Sequence, residues 1–287
     1  MTAEKRSLLA IHAHPDDESS KGAGTMAKYA NEGVRVSLIC ATDGAEGDIL
    51  NPRMDKPGVK ERMVDIRKEE LAAACSILGV SEIYYLGYRD SGMPGTPSNK
   101  HEQAFWNAAP QEAIGKIVEI IRKERPQVIL SYDESKGYEH PDHIRVHEWG
   151  RQAFHDAGDP DKFPDKGEPW SPSKLYYFAT FTKRRMRTLN DAVVARGGES
   201  PFAGWLENWD SIGFEDPEVS CQVDVGEFLD LRTKALLAHA TQIDPDSFWF
   251  AIPDDLQKEI YPWEDYTLIE SRVETSLPET DLFAGLD

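Results

Sequence analysis

Residues 7–22 read SLLAIHAHPDDESSKG. Leu8, Leu9, Ala10 and Ile11 form a short continuous apolar run, the pattern of a strand buried on both faces. The chain then changes character at once. His12, His14, Asp16, Asp17 and Glu18 crowd into the positions that follow, ahead of a lysine and a glycine. A second stretch, GYEHPDHIRVH at 137–147, repeats the design after another apolar run, Val128-Ile129-Leu130. The fold turns on whether these two strand ends meet.

Working outward, strand and helix signals alternate. Residues 21–32 read as a helix ended by Gly33, and 34–41 (VRVSLICA) as a second strand. Residues 61–78 are helical, with Ile66, Leu71, Cys75 and Leu78 on one face and Gly79 as the stop. A short third strand follows at 83–86, then a helix at 111–125 halted before Pro126. Residues 127–132 read as a fourth strand and 141–156 as a helix. This alternation predicts an α/β, Rossmann-like, mostly parallel sheet with helices on both faces. Farther on the pattern loosens: a strand at 175–182, a helix at 183–196, a short strand at 222–225 and a helix at 227–241. The Gly-, Pro- and Asn-containing stretches at 44–60, 91–110 and 157–173 read as walls or lids of a site. The expected organisation is a catalytic, metal-binding core over residues 1–165. Residues 166–287 would complete the same domain as a C-terminal elaboration covering the site and its substrate pocket.

In a doubly wound sheet of order 3-2-1-4 the first and fourth strands are neighbours, and ligands bind outside their carboxyl ends. That rule brings the two acidic-histidine stretches together. His14 and Asp17 stand three apart, as do His140 and His143, so each pair shares a face of an opening helical turn. Mixed imidazole and carboxylate donors suit a catalytic zinc ion, which takes three protein ligands and leaves a position open. His12, His14, Asp16, Asp17, Glu18, His140, Asp142 and His143 exceed that number, and spacing alone does not divide them. His12 reads as a packing residue, and His101, His147 and His155 lie outside the pattern. A plainer reading, helix-dipole carboxylates and surface histidines, serves either stretch alone but not two matched ones.

Composition narrows the classes. Hydrophobic residues at 40% with 29% charged are ordinary for a soluble globular chain. A net charge of −19, from 32 Lys+Arg against 51 Asp+Glu, excludes a broad grip on nucleic acid. No stretch reads as a signal peptide or a membrane span, and three scattered cysteines read as reduced, buried thiols. The expected setting is the cytoplasm.

HAHPDDESSKG with YEHPDH resembles the zinc-dependent LmbE-like superfamily of N-acetylglucosaminyl de-N-acetylases. The likeness extends to TDGAEGDILNP at 42–52, LGYRDSGMP at 86–94, SKLYY at 173–177, HATQIDP at 239–245 and ETDLFAG at 279–285. The resemblance implies that His14, Asp17 and His143 hold one Zn2+, a set that also suits Fe2+. It implies Asp16 as general base and His140 as the group that meets the oxyanion or the leaving amine. Asp142 would orient His140, and Tyr138 would lend a hydroxyl to the oxyanion. Lys21, Glu46, Arg67 and Asp90 correspond to sugar and inositol contacts. Plainer readings are a solvated helix charge for Arg67, a turn aspartate for Asp90 and an exposed helix-start lysine for Lys21. The implied substrates are small molecules, the mycothiol S-conjugates, cleaved at a linear amide; the biosynthetic deacetylation of N-acetylglucosaminyl-inositol is the alternative. Lys21, HATQIDP and ETDLFAG resemble the amidase branch. Trp205, Trp209, Phe248 and Trp249 would wall the variable S-substituent. A carbohydrate-binding module without turnover is the reading from another class, and Asp16 argues against it.

Overall fold

The apolar run at 8–11 sits at the centre of a sheet. The computed structural model describes residues 6–134 and 138–286. Every residue of β1 (Ser7–His12) is buried, as a strand covered on both faces requires. It pairs in parallel with β2 (Arg35–Thr42) on one side and β4 (Val128–Ser131) on the other. Beyond β2 lies β3 (Glu82–Tyr88), again parallel; beyond β4 lies β5 (Lys174–Phe178), also parallel. The sheet continues through β7 (Trp263–Ser271) to β6 (Cys221–Asp224), giving the order β3-β2-β1-β4-β5-β7-β6. β7 runs antiparallel to both its neighbours. The 3-2-1-4 order read from the alternation is present, and the sheet is mostly parallel.

Each crossover is helical. After the single turn α1 (Asp17–Ser20), α2 (Ala23–Asn31) links β1 to β2 and α3 (Met63–Leu78) links β2 to β3. α4 (Pro110–Glu124) and α5 (Pro141–Asp156) serve the other half and pack on each other. α4 begins at Pro110, where the missing N–H costs nothing. α3 ends where Gly79 turns to a φ of 74°, a left-handed cap that lets the Val80 N–H reach the Cys75 carbonyl. Cys40, Cys75 and Cys221 are free and buried.

The C-terminal part departs from the sequence reading in its details. α6 (Lys183–Ala195), α7 (Ala203–Ser211) and α9 (Asp254–Ile260) enclose a second small core of Met186, Leu189, Phe202, Leu206, Ile252 and Tyr261. α8 (Leu229–Ala238) packs instead on α2 and α3. The strand expected over 175–182 stops at Phe178, because Thr182 caps α6 by accepting the Arg185 N–H. β7, α7 and α9 were not anticipated. Among the described residues no helix is long and apolar enough to cross a membrane.

Candidate metal centre and active site

Because β1 and β4 are neighbours, the loops that leave their carboxyl ends converge. His14 follows β1, Asp17 opens α1, and His140 and His143 stand at and just inside the start of α5. Asp17 Oδ2 lies 3.4 Å from His14 Nδ1 and 3.4 Å from His143 Nε2. The donor atoms of His14, Asp17 and His143 all fall within 4.8 Å of one another, and the three residues are buried. The opposite ring nitrogen, His14 Nε2, faces Asp142 Oδ2 at 3.2 Å and Asp90 Oδ1 at 3.5 Å. A carboxylate on one nitrogen fixes the tautomer and leaves the other to coordinate, as metal-binding histidines require. A second buried grouping, His14 with Asp90, His140 and Asp142, shares this histidine.

The charge balance fits a cation. Asp16, Asp17, Asp90 and Asp142 stand together against the permanent cations Lys21 and Arg67. Burial alone would depress His14, yet Asp90, Asp142 and Asp17 outweigh it and raise its pKa well above the usual value. Burial lowers His143, favouring its neutral form. Asp17 resists its own burial because Lys21, His143 and His14 surround it, and its pKa is held well below the ordinary range. The donor set, imidazole and carboxylate with excess negative charge, is one that a divalent ion fills.

Asp16 is held differently. Its φ of 109° is a left-handed conformation that a non-glycine residue adopts only under constraint. Its N–H donates to Glu18 Oε2 at 3.0 Å, and the Arg67 guanidinium donates to its Oδ2 at 2.9 Å and to the Pro15 carbonyl. Glu18 is itself bound by His239 Nε2 at 2.6 Å. The carboxylate remains partly exposed, with 26% of the side chain accessible. Burial, and then Asp17, push its pKa up while Arg67 pulls it down; the upward direction prevails.

The remaining sequence candidates fall around this centre. His140 is buried; its Nδ1 accepts the Asp142 N–H at 3.2 Å, and its Nε2 points toward Asp90 Oδ1 at 3.9 Å. Burial, reinforced by His14, depresses it to about 4. The Asp142 carboxylate lies closer to His14 than to His140, at 3.2 against 4.0 Å, and is gripped by Ser91 through its N–H and hydroxyl. Tyr138 is half exposed, its ring 5.0 Å from that of His143 and 6.0 Å from that of His140. Asp90 sits between His14 and His140 and accepts the Gly92 N–H at 2.8 Å. Glu46 donates its N–H to Asp90 and pairs its carboxylate with Arg89. Lys21 is committed to Asp17 Oδ1 at 2.8 Å. Arg67 is buried and donates to the Gly44 carbonyl at 2.7 Å as well. A Cβ at Gly44 would stand 2.5 Å from that guanidinium, so the TDGAEG loop needs its glycine there.

Sequence reasoning missed Ser91, and it left His239 and Gln242 open. His239 reaches Glu18 behind the site; Gln242 binds the Asp48 carbonyl and borders Gly47. His12 lies beneath the centre, bonded to the Tyr132 hydroxyl at 3.0 Å and stacked on Phe178, with burial depressing it to about 4.

The chain is 45% identical to the mycothiol S-conjugate amidase of Streptomyces coelicolor, over 100% of this chain and 99% of that protein. It is 40% identical to a 1D-myo-inositol 2-acetamido-2-deoxy-alpha-D-glucopyranoside deacetylase of Geodermatophilus obscurus, over 100% and 99%. Its fold superposes on N,N'-diacetylchitobiose deacetylase of Pyrococcus horikoshii with a TM-score of 0.64 at 20% identity, covering 93% of this chain and 84% of that one. The GlcNAc-PI de-N-acetylase model matches residues 9–154, the span that carries both histidine–aspartate stretches. The chain therefore belongs to the GlcNAc-PI de-N-acetylase (PIG-L) family of amidohydrolases.

Proposed function

We propose that the chain hydrolyses the amide of mycothiol S-conjugates, releasing a mercapturic acid and glucosaminyl-inositol. The observation that carries this reading is the convergence of His14, Asp17 and His143 with the partly exposed carboxylate of Asp16 beside them. Those three residues would hold zinc, or ferrous iron, which when bound polarises the amide carbonyl and acidifies water. Asp16 takes the proton of the attacking water, and burial raises its affinity for that proton. His140, with Nδ1 occupied by the Asp142 N–H, carries its proton on Nε2 and presents it to the oxyanion or the departing amine. Tyr138 offers its hydroxyl from the exposed side. Asp142 acts on His14 through its carboxylate, which Ser91 fixes, and on His140 through its backbone N–H. Asp90 and Glu46 meet sugar and inositol hydroxyls, while Lys21 and Arg67 contribute from within, each already bound to an aspartate of the centre.

Greater identity to the relative named as the amidase, 45% against 40%, supports this branch. Full-length similarity to relatives named as the deacetylase supports the second reading, removal of acetate from N-acetylglucosaminyl-inositol. Measuring kcat/KM on a bimane conjugate of mycothiol and on the acetylated sugar separates them. The conjugate is expected to be the better substrate; an acetylated sugar preferred by about tenfold, a difference of roughly 1.4 kcal/mol in transition-state binding, assigns the chain to the deacetylase branch.

A further inference from the structure

Two guanidiniums elsewhere in the molecule form no ion pair among the described residues. Arg185, in the first turn of α6, is 5% exposed. It donates one N–H to the Thr180 carbonyl and stands 5.8 Å over the Tyr261 ring, but its Nε has no hydrogen-bond partner. Arg232, on α8, lies 6.0 Å over the Trp249 ring. Among the described residues neither has a carboxylate within ion-pair distance. Burial and the Arg185 charge together depress Arg232 to about 10. The nearest acids acting on it are engaged: Glu264 accepts the Gly24 and Thr25 N–H groups, and Asp254 accepts the Thr233 hydroxyl.

Both arginines line one cleft with Gln257, which is 4% exposed and whose Nε2 also lacks a partner. The other walls are flat and apolar, among them Phe181, Trp205, Phe248 and Trp249. The cleft between these walls opens to solvent. The cleft shares no residue with the metal centre, although it begins at Thr180, two residues after Phe178, whose ring stacks on His12. Holding unpaired cations against one another inside a protein is unfavourable unless something negative joins them. Guanidiniums bind carboxylates and sulfonates through paired N–H groups, and aromatic walls take a flat ring.

We propose that this cleft binds a small aromatic carboxylate or sulfonate, its anionic end between Arg185, Arg232 and the Gln257 amide and its ring against the aromatic walls. A free anion and an acidic aromatic arm on the substrate share this chemistry. The test is calorimetric titration of the metal-loaded protein with 2-naphthoate and with its neutral isostere 2-naphthamide, readings that need no turnover and stand apart from the proposed activity. Naphthoate is expected to bind one to one and roughly tenfold or more tightly than naphthamide, the advantage a charge-assisted pair confers. Arg232→Met should abolish that preference while keeping metal content and hydrolysis of a small neutral conjugate; Trp249→Ala should weaken both ligands. Because Arg232 is half-buried and unpaired, Arg232→Met should also melt no lower than the wild type. Equal affinity for the two ligands, or an undiminished preference in Arg232→Met, overturns the proposal. Competition between naphthoate and an aromatic S-conjugate, seen as a raised KM at constant kcat, identifies the substrate's arm as the source; no competition identifies a free anion.

Discussion

Two clusters of buried charge lie on the same sheet, and they are built to different rules. At the start of β5, Lys174 is fully buried, and its ammonium bonds to Glu279 Oε1 at 2.6 Å and to the Tyr176 hydroxyl at 3.2 Å. Tyr176 completes the circle by donating to the other Glu279 oxygen. One cation meets one anion, and every polar atom has a partner. At the carboxyl ends of β1 and β4, by contrast, four acids, Asp16, Asp17, Asp90 and Asp142, gather round two permanent cations and three histidines. A balanced buried cluster is complete in itself; an excess of buried carboxylates favours a bound cation.

Single substitutions sharpen the contrast. His143→Ala is expected to remove most bound metal and nearly all hydrolysis, with far-UV circular dichroism unchanged, because the strands rather than the loops carry the core. Glu279→Gln should do the opposite, keeping metal and turnover in the folded protein. Stoichiometric zinc and normal rates in His143→Ala would break the distinction, since a removable ligand is no ligand. Asp16→Asn comes next in size. It should keep the metal and lower kcat by about 100-fold or more, the lower end of what a general base contributes. Loss of zinc in that variant would mean that Asp16 and Asp17 have exchanged roles.

The centre was more legible in the sequence than the cluster on β5. Apolar runs with no polar interruption at 8–11 and 128–130 announce buried neighbouring strands, and the residues after them carry the chemistry. Helix stops at Gly33 and Gly79 were legible because positive φ demands glycine. β7 was not legible, because WEDYTLIES places acids at positions that must be buried. Glu264 tolerates burial by accepting the N–H groups that open α2, and Asp265 by binding Tyr261 and Gln222. Such partners, distant in sequence, are decided by tertiary packing. The same holds for Arg67 and Lys21, whose bonds to Asp16 and Asp17 the sequence does not announce, and for Ser91, which nothing in its neighbourhood marks as the anchor of Asp142.

The third effect is on stability alone. Glu279→Gln leaves Lys174 buried with an uncompensated charge, and breaking a buried pair in this way costs about 3–5 kcal/mol. Replacing both partners with apolar side chains, Lys174→Met with Glu279→Leu, should recover most of that loss, since the penalty belongs to the orphaned charge. Urea unfolding of the single and double variants measures both. Equal losses in the two would mean that the cluster on β5 contributes through its ion pair after all.

The smallest effect concerns Glu18 and His239, a pair that belongs to neither kind. Both are fully buried, bonded at 2.6 Å, and they stand behind Asp16 rather than beside the metal residues. Burial opposes both charges, but each partner outweighs it, so the Glu18 pKa is lowered and that of His239 is raised. The signs fix the pH window. His239 is raised above its ordinary 6.5, so its contribution is complete below that value and is lost as pH rises through its folded pKa. Glu18 is lowered below its ordinary 4.5, so its contribution is complete above that value and is lost as pH falls through its folded pKa. The pair therefore stabilises the fold most between these two ordinary values. His239→Gln retains a neutral donor without the charge. Its unfolding free energy should fall below that of the wild type by the widest margin near pH 6, and the margin should narrow steadily as pH is raised toward 9. The loss should be smaller than that of Glu279→Gln, because a donor remains for Glu18. Urea titrations of both proteins across that range provide the measurement. A margin that stays constant with pH would show that His239 is buried neutral and forms no ion pair with Glu18.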